Sequence, residues 1–256
     1  MHWNRWSAAT LWLLVSACTS SDQEPVSTPQ KSMDHRAWLA QARSAISGRV
    51  SYGGQVPPPE LVEMKGDAAC HPQDATVFEK QTVIIDEFGA LREAFVYIAK
   101  GIRPLQFPLP TDSVFLDQKG CQYLPHVFGI RAGQPLVIMN SDNTLHNVYA
   151  SSHQNPPFNI GMTRHVKQVT RVFPLPEVMI PFRCNVHPWM SAYAGVVEHP
   201  YFQVTGVDGA FHLGPLPAGE YQIAVWHEKL GRLEQTVTLG VAETREIKLT
   251  FVDSQP

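Results

Sequence analysis

One loop constrains this chain more than any other stretch. Between Ile180 and Val197 the sequence runs Ile180-Pro-Phe182-Arg-Cys184-Asn-Val-His187-Pro188-Trp189-Met190-Ser-Ala-Tyr193-Ala-Gly-Val196-Val197. A thiol, an imidazole and a thioether stand three residues apart each, flanked on both sides by residues that favour strands. This reads as a metal-binding loop between two strands. Cys and Met are soft ligands and His is borderline, so the set suits copper. A trigonal Cys plus two His with a weak axial Met is an electron-transfer copper arrangement, and the loop lacks one His of it. Upstream, Ala132 to Val148 reads as a turn, an apolar strand and a second turn ending in His146-Asn147-Val148, and His146 supplies the missing imidazole.

Other chemistries fit less well. A structural zinc site needs four ligands at paired spacings, and no second close Cys or His pair follows Cys184-x-x-His187. A Cys-x-x-Cys-His haem attachment is absent, and a dinuclear copper centre would need a second Cys in the loop. Met190 alone would be core filler. Beside Cys184 and His187 it reads as a ligand.

These two motifs resemble the cupredoxins, the type 1 blue copper proteins of the amicyanin and plastocyanin kind. In the amicyanin-like members the first ligand sits in Pro-His-Asn-Val and the others in a short Cys-x-x-His-Pro-x-Met loop. Here Leu145 replaces the proline, while Cys184, His187, Pro188 and Met190 match. The resemblance covers roughly residues 127–197. It implies Cys184 as thiolate ligand, His146 and His187 as imidazole ligands, Met190 as weak axial ligand, one copper per chain, and Asn147 tying the two loops together. It further implies electron exchange through the ring edge of His187, under an apolar patch that Pro188 and Trp189 help to form, where a redox partner protein docks.

The N-terminus, Met1 to Cys18, has a positive start and an apolar stretch too short to span a bilayer, which reads as a secretory signal. Its end, Val15-Ser-Ala-Cys18, resembles a bacterial lipoprotein cleavage box. That implies lipidation of Cys18 and a periplasm-facing chain anchored in the cell envelope, with Thr19 pointing to the outer membrane. Residues 19–45 read as a tether, polar and Pro-rich at first, with a short helix expected over 33–46 behind Asp34 as N-cap.

From residue 46 on, short β-branched runs alternate with Pro and Gly turns, which argues an all-β fold. Expected strands before the copper region start at Gly48, Thr82, Ala94 and Ser113. After it, Asp208-Gly209 is expected to turn a hairpin. Asp208-Gly-Ala-Phe211 and Leu216-Pro-Ala-Gly219-Glu-Tyr221 resemble the signatures of carboxypeptidase-regulatory, transthyretin-like β-sandwich modules. Gly48-Arg-Val50 and Ala94-Phe-Val96 match the opening strands of those modules. The expected organisation is a β segment over 46–110, a cupredoxin Greek-key β-sandwich over 111–200 and a regulatory-like β segment over 201–256. The cupredoxin is either inserted into a split sandwich or placed in series with it.

The formal net charge of −3 and the lack of a Lys/Arg cluster speak against nucleic acid as a partner. With Cys18 lipidated, three cysteines remain in an oxidising compartment. A Cys70–Cys121 disulfide would leave Cys184 free for copper. The alternative is a second metal site from Cys70, His71, Cys121 and His126. His153, His165, His199, His212 and His227 read as surface or packing residues, with His227 the one whose distance from the copper matters. No substrate pocket or acid–base constellation is visible, so the expected role is a one-electron carrier rather than an enzyme. An envelope copper storage or delivery protein, with Met162 as an extra soft ligand, and a metal-free structural module are the alternatives.

Overall fold

The computed structural model describes residues 35–64, 67–70, 77–102 and 105–253. The segment 1–34, with Cys18, and His71 lie outside the described residues. Helix α1 (His35–Gln41) buries Trp38, whose indole N–H donates to Tyr201 Oη at 2.8 Å. It is shorter than the expected helix, because Ile46 and Val50 are drawn into the core as strand residues.

The strands ahead of the metal-loop region are β1 (Ser44–Tyr52), β2 (Glu60–Glu63), β3 (Val77–Lys80) and β4 (Phe95–Lys100). Then come β5 (Val114–Gln118), β6 (Tyr123–Leu124), β7 (Val127–Arg131), β8 (Pro135–Asn140), β9 (His146–Ala150), β10 (Phe158–Met162), β11 (Gln168–Val172), β12 (Glu177–Arg183) and β13 (Ser191–Val197). The chain closes with β14 (Phe202–Val204), β15 (Ala210–Leu216), β16 (Gly219–His227), β17 (Gly231–Leu239) and β18 (Thr244–Phe251).

The fold is all-β, built as two sandwiches. The first packs sheet β15-β1-β18 on sheet β14-β4-β16-β17. Its core joins Val50, Phe211 and Leu249 of one sheet to Val96, Ile223 and Val237 of the other. The second packs sheet β10-β9-β12-β13-β7 on sheet β11-β8-β5-β6, around Leu116, Ile138, Val148, Phe182 and Ala194. β1 is antiparallel to β15 and parallel to β18. Strands from before and after β5–β13 therefore share the first sandwich, and the chain returns to it where Phe202 pairs with Tyr97.

The sandwiches stack on each other through faces of β4, β14 and β16 on one side and β7 and β13 on the other, with Phe95, Tyr97, Val127, Val197 and Ala224 buried between them. This explains why β4 reads as a continuous apolar run: Val96 and Ile98 enter one core while Phe95 and Tyr97 enter the seam. The seam is so close that a Cβ on Gly195 would lie 2.3 Å from Phe95.

Two local expectations differ from the structure. Thr82 to Asp86 forms only an isolated bridge, Ile85 with Leu91, rather than a strand, and the Asp86 carboxylate accepts from Phe88 N and Ala90 N in the turn through Gly89 (φ +78°) that follows. Asp208-Gly209 does turn the chain, with Gly209 at φ +64°, but not into a hairpin. β14 and β15 belong to opposite sheets of the first sandwich, so the turn crosses between layers.

Candidate metal centre

His146 opens β9, and Cys184 directly follows β12. These neighbouring antiparallel strands are in register at Phe182 with Ala150 and Arg183 with Tyr149, so both residues come to the same end of the sheet. β12 and β13 pair up to Arg183 and Ser191, leaving 184–190 as the loop between them. Cys184 N donates to Met190 O at 3.3 Å and Met190 N to His187 O at 3.0 Å, which folds the loop back on itself. Asn147 Oδ1 accepts from Asn185 N at 2.5 Å, joining this loop to the β9 loop. Tyr123 Oη donates to Asn147 O at 2.5 Å and reaches Arg183 O at 3.1 Å, a clamp on both ligand strands that no local pattern announces.

The donor atoms of His146, Cys184 and His187 converge in a dry setting. Cys184, His146, His187 and Met190 are between 0% and 3% exposed. One donor atom each from His146, Cys184 and His187 falls within 4.8 Å of the others. His146 Nδ1 and His187 Nδ1 are 2.9 Å apart, and Cys184 Sγ lies 4.0 Å from His187 Nδ1. Burial opposes a thiolate, yet hydrogen bonds from His146 and from the backbone N–H groups of Asn147, His187 and Val186 hold the Cys184 thiol below its ordinary value.

The distal nitrogens decide what the Nδ1 atoms can do. His146 Nε2 is 2.8 Å from Asp142 Oδ2, and His187 Nε2 is 3.4 Å from Asp67 Oδ2. An ionised carboxylate only accepts, so the Asp142 hydrogen bond puts a proton on His146 Nε2, and the more distant Asp67 favours one on His187 Nε2, an arrangement that leaves the Nδ1 lone pairs facing each other across 2.9 Å. Two lone pairs at that distance need a cation between them. A proton is one solution. Burial disfavours a charged ring, but hydrogen bonds to Asp142 and Cys184 outweigh it and lift His146 to about 9. Burial and the neighbouring charge of His146 push His187 down. A metal ion is the other solution, and a thiolate with two imidazoles fits a soft or borderline ion such as copper.

Around this cluster the structure sorts the remaining candidates. Cys70 is bonded to Cys121, with Cα atoms 5.3 Å apart, and Cys184 is free. His126 does not join the two sulfurs: its Nδ1 is 2.9 Å from Ser191 O and its Nε2 2.7 Å from Glu228 Oε1. Burial works against a charge on His126, but the bond to Glu228 raises it overall. His227 lies in β16 of the first sandwich, and its Nδ1 accepts from Lys229 N at 3.3 Å. Met162 Sδ accepts from Gln118 Nε2 at 3.0 Å inside the core. His153, His165 and His212 are exposed, and His199 Nε2 is 2.9 Å from Ile98 O.

The ring edge of His187 is buried: Cys70 Sγ sits 3.5 Å from Nε2 and Asp67 Oδ2 3.4 Å from it. Trp189 donates through Nε1 to Cys121 O at 3.0 Å and is only partly exposed. Leu145 and Val186, each next to a histidine of the cluster, are 46% and 43% exposed.

Comparison with protein-family models finds no match, and comparison with curated proteins finds none either. Among solved structures the chain is similar to a copper-containing nitrite reductase from Thermus scotoductus SA-01, at 22% identity and a TM-score of 0.32. That likeness covers 40% of this chain and spans only 25% of the reductase. It is also similar to amicyanin from Paracoccus versutus, at 20% identity and a TM-score of 0.30, over 40% of this chain and 96% of that one. A purple cupredoxin from Nitrosopumilus maritimus is matched at 18% identity and a TM-score of 0.28, over 33% of this chain and 99% of that one.

Proposed function

We propose that the chain holds one copper ion at Cys184, His146, His187 and Met190 and carries single electrons. The observation that supports this most is the pair of buried imidazoles whose Nδ1 atoms face each other beside a free, acidified thiol. Copper bound there would supply one-electron chemistry by alternating between Cu(I) and Cu(II). The chain's own part is to keep that change small. Cys184 offers a thiolate already favoured by three backbone N–H groups and His146. The carboxylates of Asp142 and Asp67 hold both rings in one tautomer. Asn147 and Tyr123 lock the loops, so the donors stay in place whichever charge they face. Met190, at the buried end of the loop, contributes a weak thioether.

A redox partner protein would dock near His187 and Trp189, over the exposed Leu145, Val186 and Pro188. A small apolar contact suits a carrier that must leave quickly. Read with the signal and lipobox at residues 1–18, the protein is lipid-anchored through Cys18 in a bacterial envelope, facing the periplasm from the outer membrane. Strands β1, β4 and β14–β18 supply a sandwich that resembles the transthyretin-like modules. Storage or delivery is the weaker reading, because the spare donors among the described residues are spoken for: Cys70 and Cys121 bond each other, His126 pairs with Glu228 and Met162 with Gln118.

The deciding experiment is Cu(II) loading under conditions that keep Cys184 reduced. One copper per chain and an intense visible absorption, bleached reversibly by a mild reductant, are expected. Cys184→Ser should abolish the band, since an alkoxide lacks the sulfur-to-copper charge transfer. Colourless wild-type protein would overturn the carrier reading.

A further inference from the structure

The two imidazoles are held from behind by carboxylates that stand on separate segments, and both segments are fastened by one disulfide. Asp142 accepts from Gly120 N at 2.7 Å and from Cys121 N at 2.9 Å while it holds His146 Nε2. Asp67 accepts from Thr144 Oγ1 and, at 2.9 Å, from Ala69 N, and its backbone O accepts from Cys70 N at 3.0 Å. Each carboxylate is thus fixed by a half of the Cys70–Cys121 bridge or by a residue beside it, and Cys70 Sγ itself touches His187 Nε2.

A hydrogen bond from an imidazole N–H to a carboxylate fixes the ring's tautomer and orientation and raises the basicity of the other nitrogen. Extra basicity favours the more highly charged ion, so it stabilises Cu(II) more than Cu(I). Resting on the copper reading above, we propose that Asp142 and Asp67 are positioning residues which, acting through His146 and His187, strengthen Cu(II) binding and hold the reduction potential down. Asp142 has the larger effect, because its contact is 2.8 Å against 3.4 Å for Asp67. The disulfide is the frame that keeps both in place.

The test compares full-length wild type with Asp142→Asn and Asp67→Asn. Cu(II) and Cu(I) affinities come from competition with a chelator selective for each state, and the potential from a redox titration followed at the visible band. Asp142→Asn should lose Cu(II) affinity about tenfold, the lower end of the usual cost of removing such a partner. With Cu(I) affinity unchanged, a tenfold loss raises a one-electron potential by about 59 mV. Asp67→Asn should shift the same way by less, and Asp67→Glu should recover part of the shift. A second measurement needs neither variant nor copper: in the metal-free protein the ¹⁵N shift of His146 Nε2 should remain that of a protonated nitrogen up to pH 10. Wild type that takes up copper, with both Asn variants matching it in potential and affinities, overturns this inference alone. So does an unprotonated Nε2. Wild type that takes up no copper overturns the copper reading and this inference together.

Discussion

Single side chains carry the chemistry, and two of them lead to separate expectations. Met190 is 1% exposed, and its thioether is the weakest donor of the proposed set. In copper-loaded protein Met190→Leu should keep the visible band, which belongs to Cys184, and raise the reduction potential, because a donor that favours Cu(II) is gone. A loss of colour with Leu would mean that Met190 holds the loop rather than tunes the metal. His227 is 2% exposed, and burial pushes it down to about 4 despite Glu228 beside it. Its ordinary value is 6.5. Between those values the unfolded chain binds a proton that the folded chain refuses, so this group's share of stability is full at pH 7, declines as the pH falls through the window and levels off below about 4. At 1.36 kcal/mol per pH unit the share is on the order of 3 kcal/mol at most. His227→Gln should flatten the fall of the urea midpoint between pH 7 and pH 4, and an unchanged slope would refute the assignment.

Elements show how the site comes to be rigid. β13 sends Ala192, Ala194 and Val196 into the core below the metal loop and Tyr193 and Val197 into the seam between sandwiches. Gly195 shares the seam face, where any side chain would meet Phe95. Gly195→Ala should therefore destabilise the protein by about 1–3 kcal/mol, the usual range for overpacking a tight core. Urea unfolding of the copper-free protein reads this directly, and a change below about 0.5 kcal/mol would show that the seam yields. β-Branched and aromatic residues made β13 and β4 legible as strands. They could not say that both faces of β4 are buried, nor that Thr82–Asp86 would meet only the short return after the Asp86 turn, since whether a strand extends depends on which neighbour claims its backbone groups.

At the scale of the whole molecule, the Cys70–Cys121 bond closes a loop of 51 residues and fastens the segment that covers His187. The double variant Cys70→Ala/Cys121→Ala should lose about 2–4 kcal/mol of unfolding free energy, the typical yield of such a cross-link. Denaturant titration of oxidised wild type against the variant measures it, and equal stabilities would mean that burial of the cystine alone holds this segment. His126 and Glu228 add a second long-range tie, from the turn just before β7 to the residue just after β16, across 102 residues of sequence.

The residues by themselves determined which side chains stand as candidate donors, their soft character, the strand–loop–strand setting of Cys184 and the all-β class. Each of these depends on neighbours within a few positions: ligand spacing, β-branching and turn residues. Tertiary structure alone decided that Asp67 and Asp142 stand behind the imidazoles, that Cys70 lies against His187 at a separation of 117 residues, and that Tyr123 clamps both ligand strands. Only the fold places β1 beside β15 and β18. Such contacts depend on how sheets stack and where the chain re-enters them, and no local period records the distance between two residues that meet only after the sandwiches have closed.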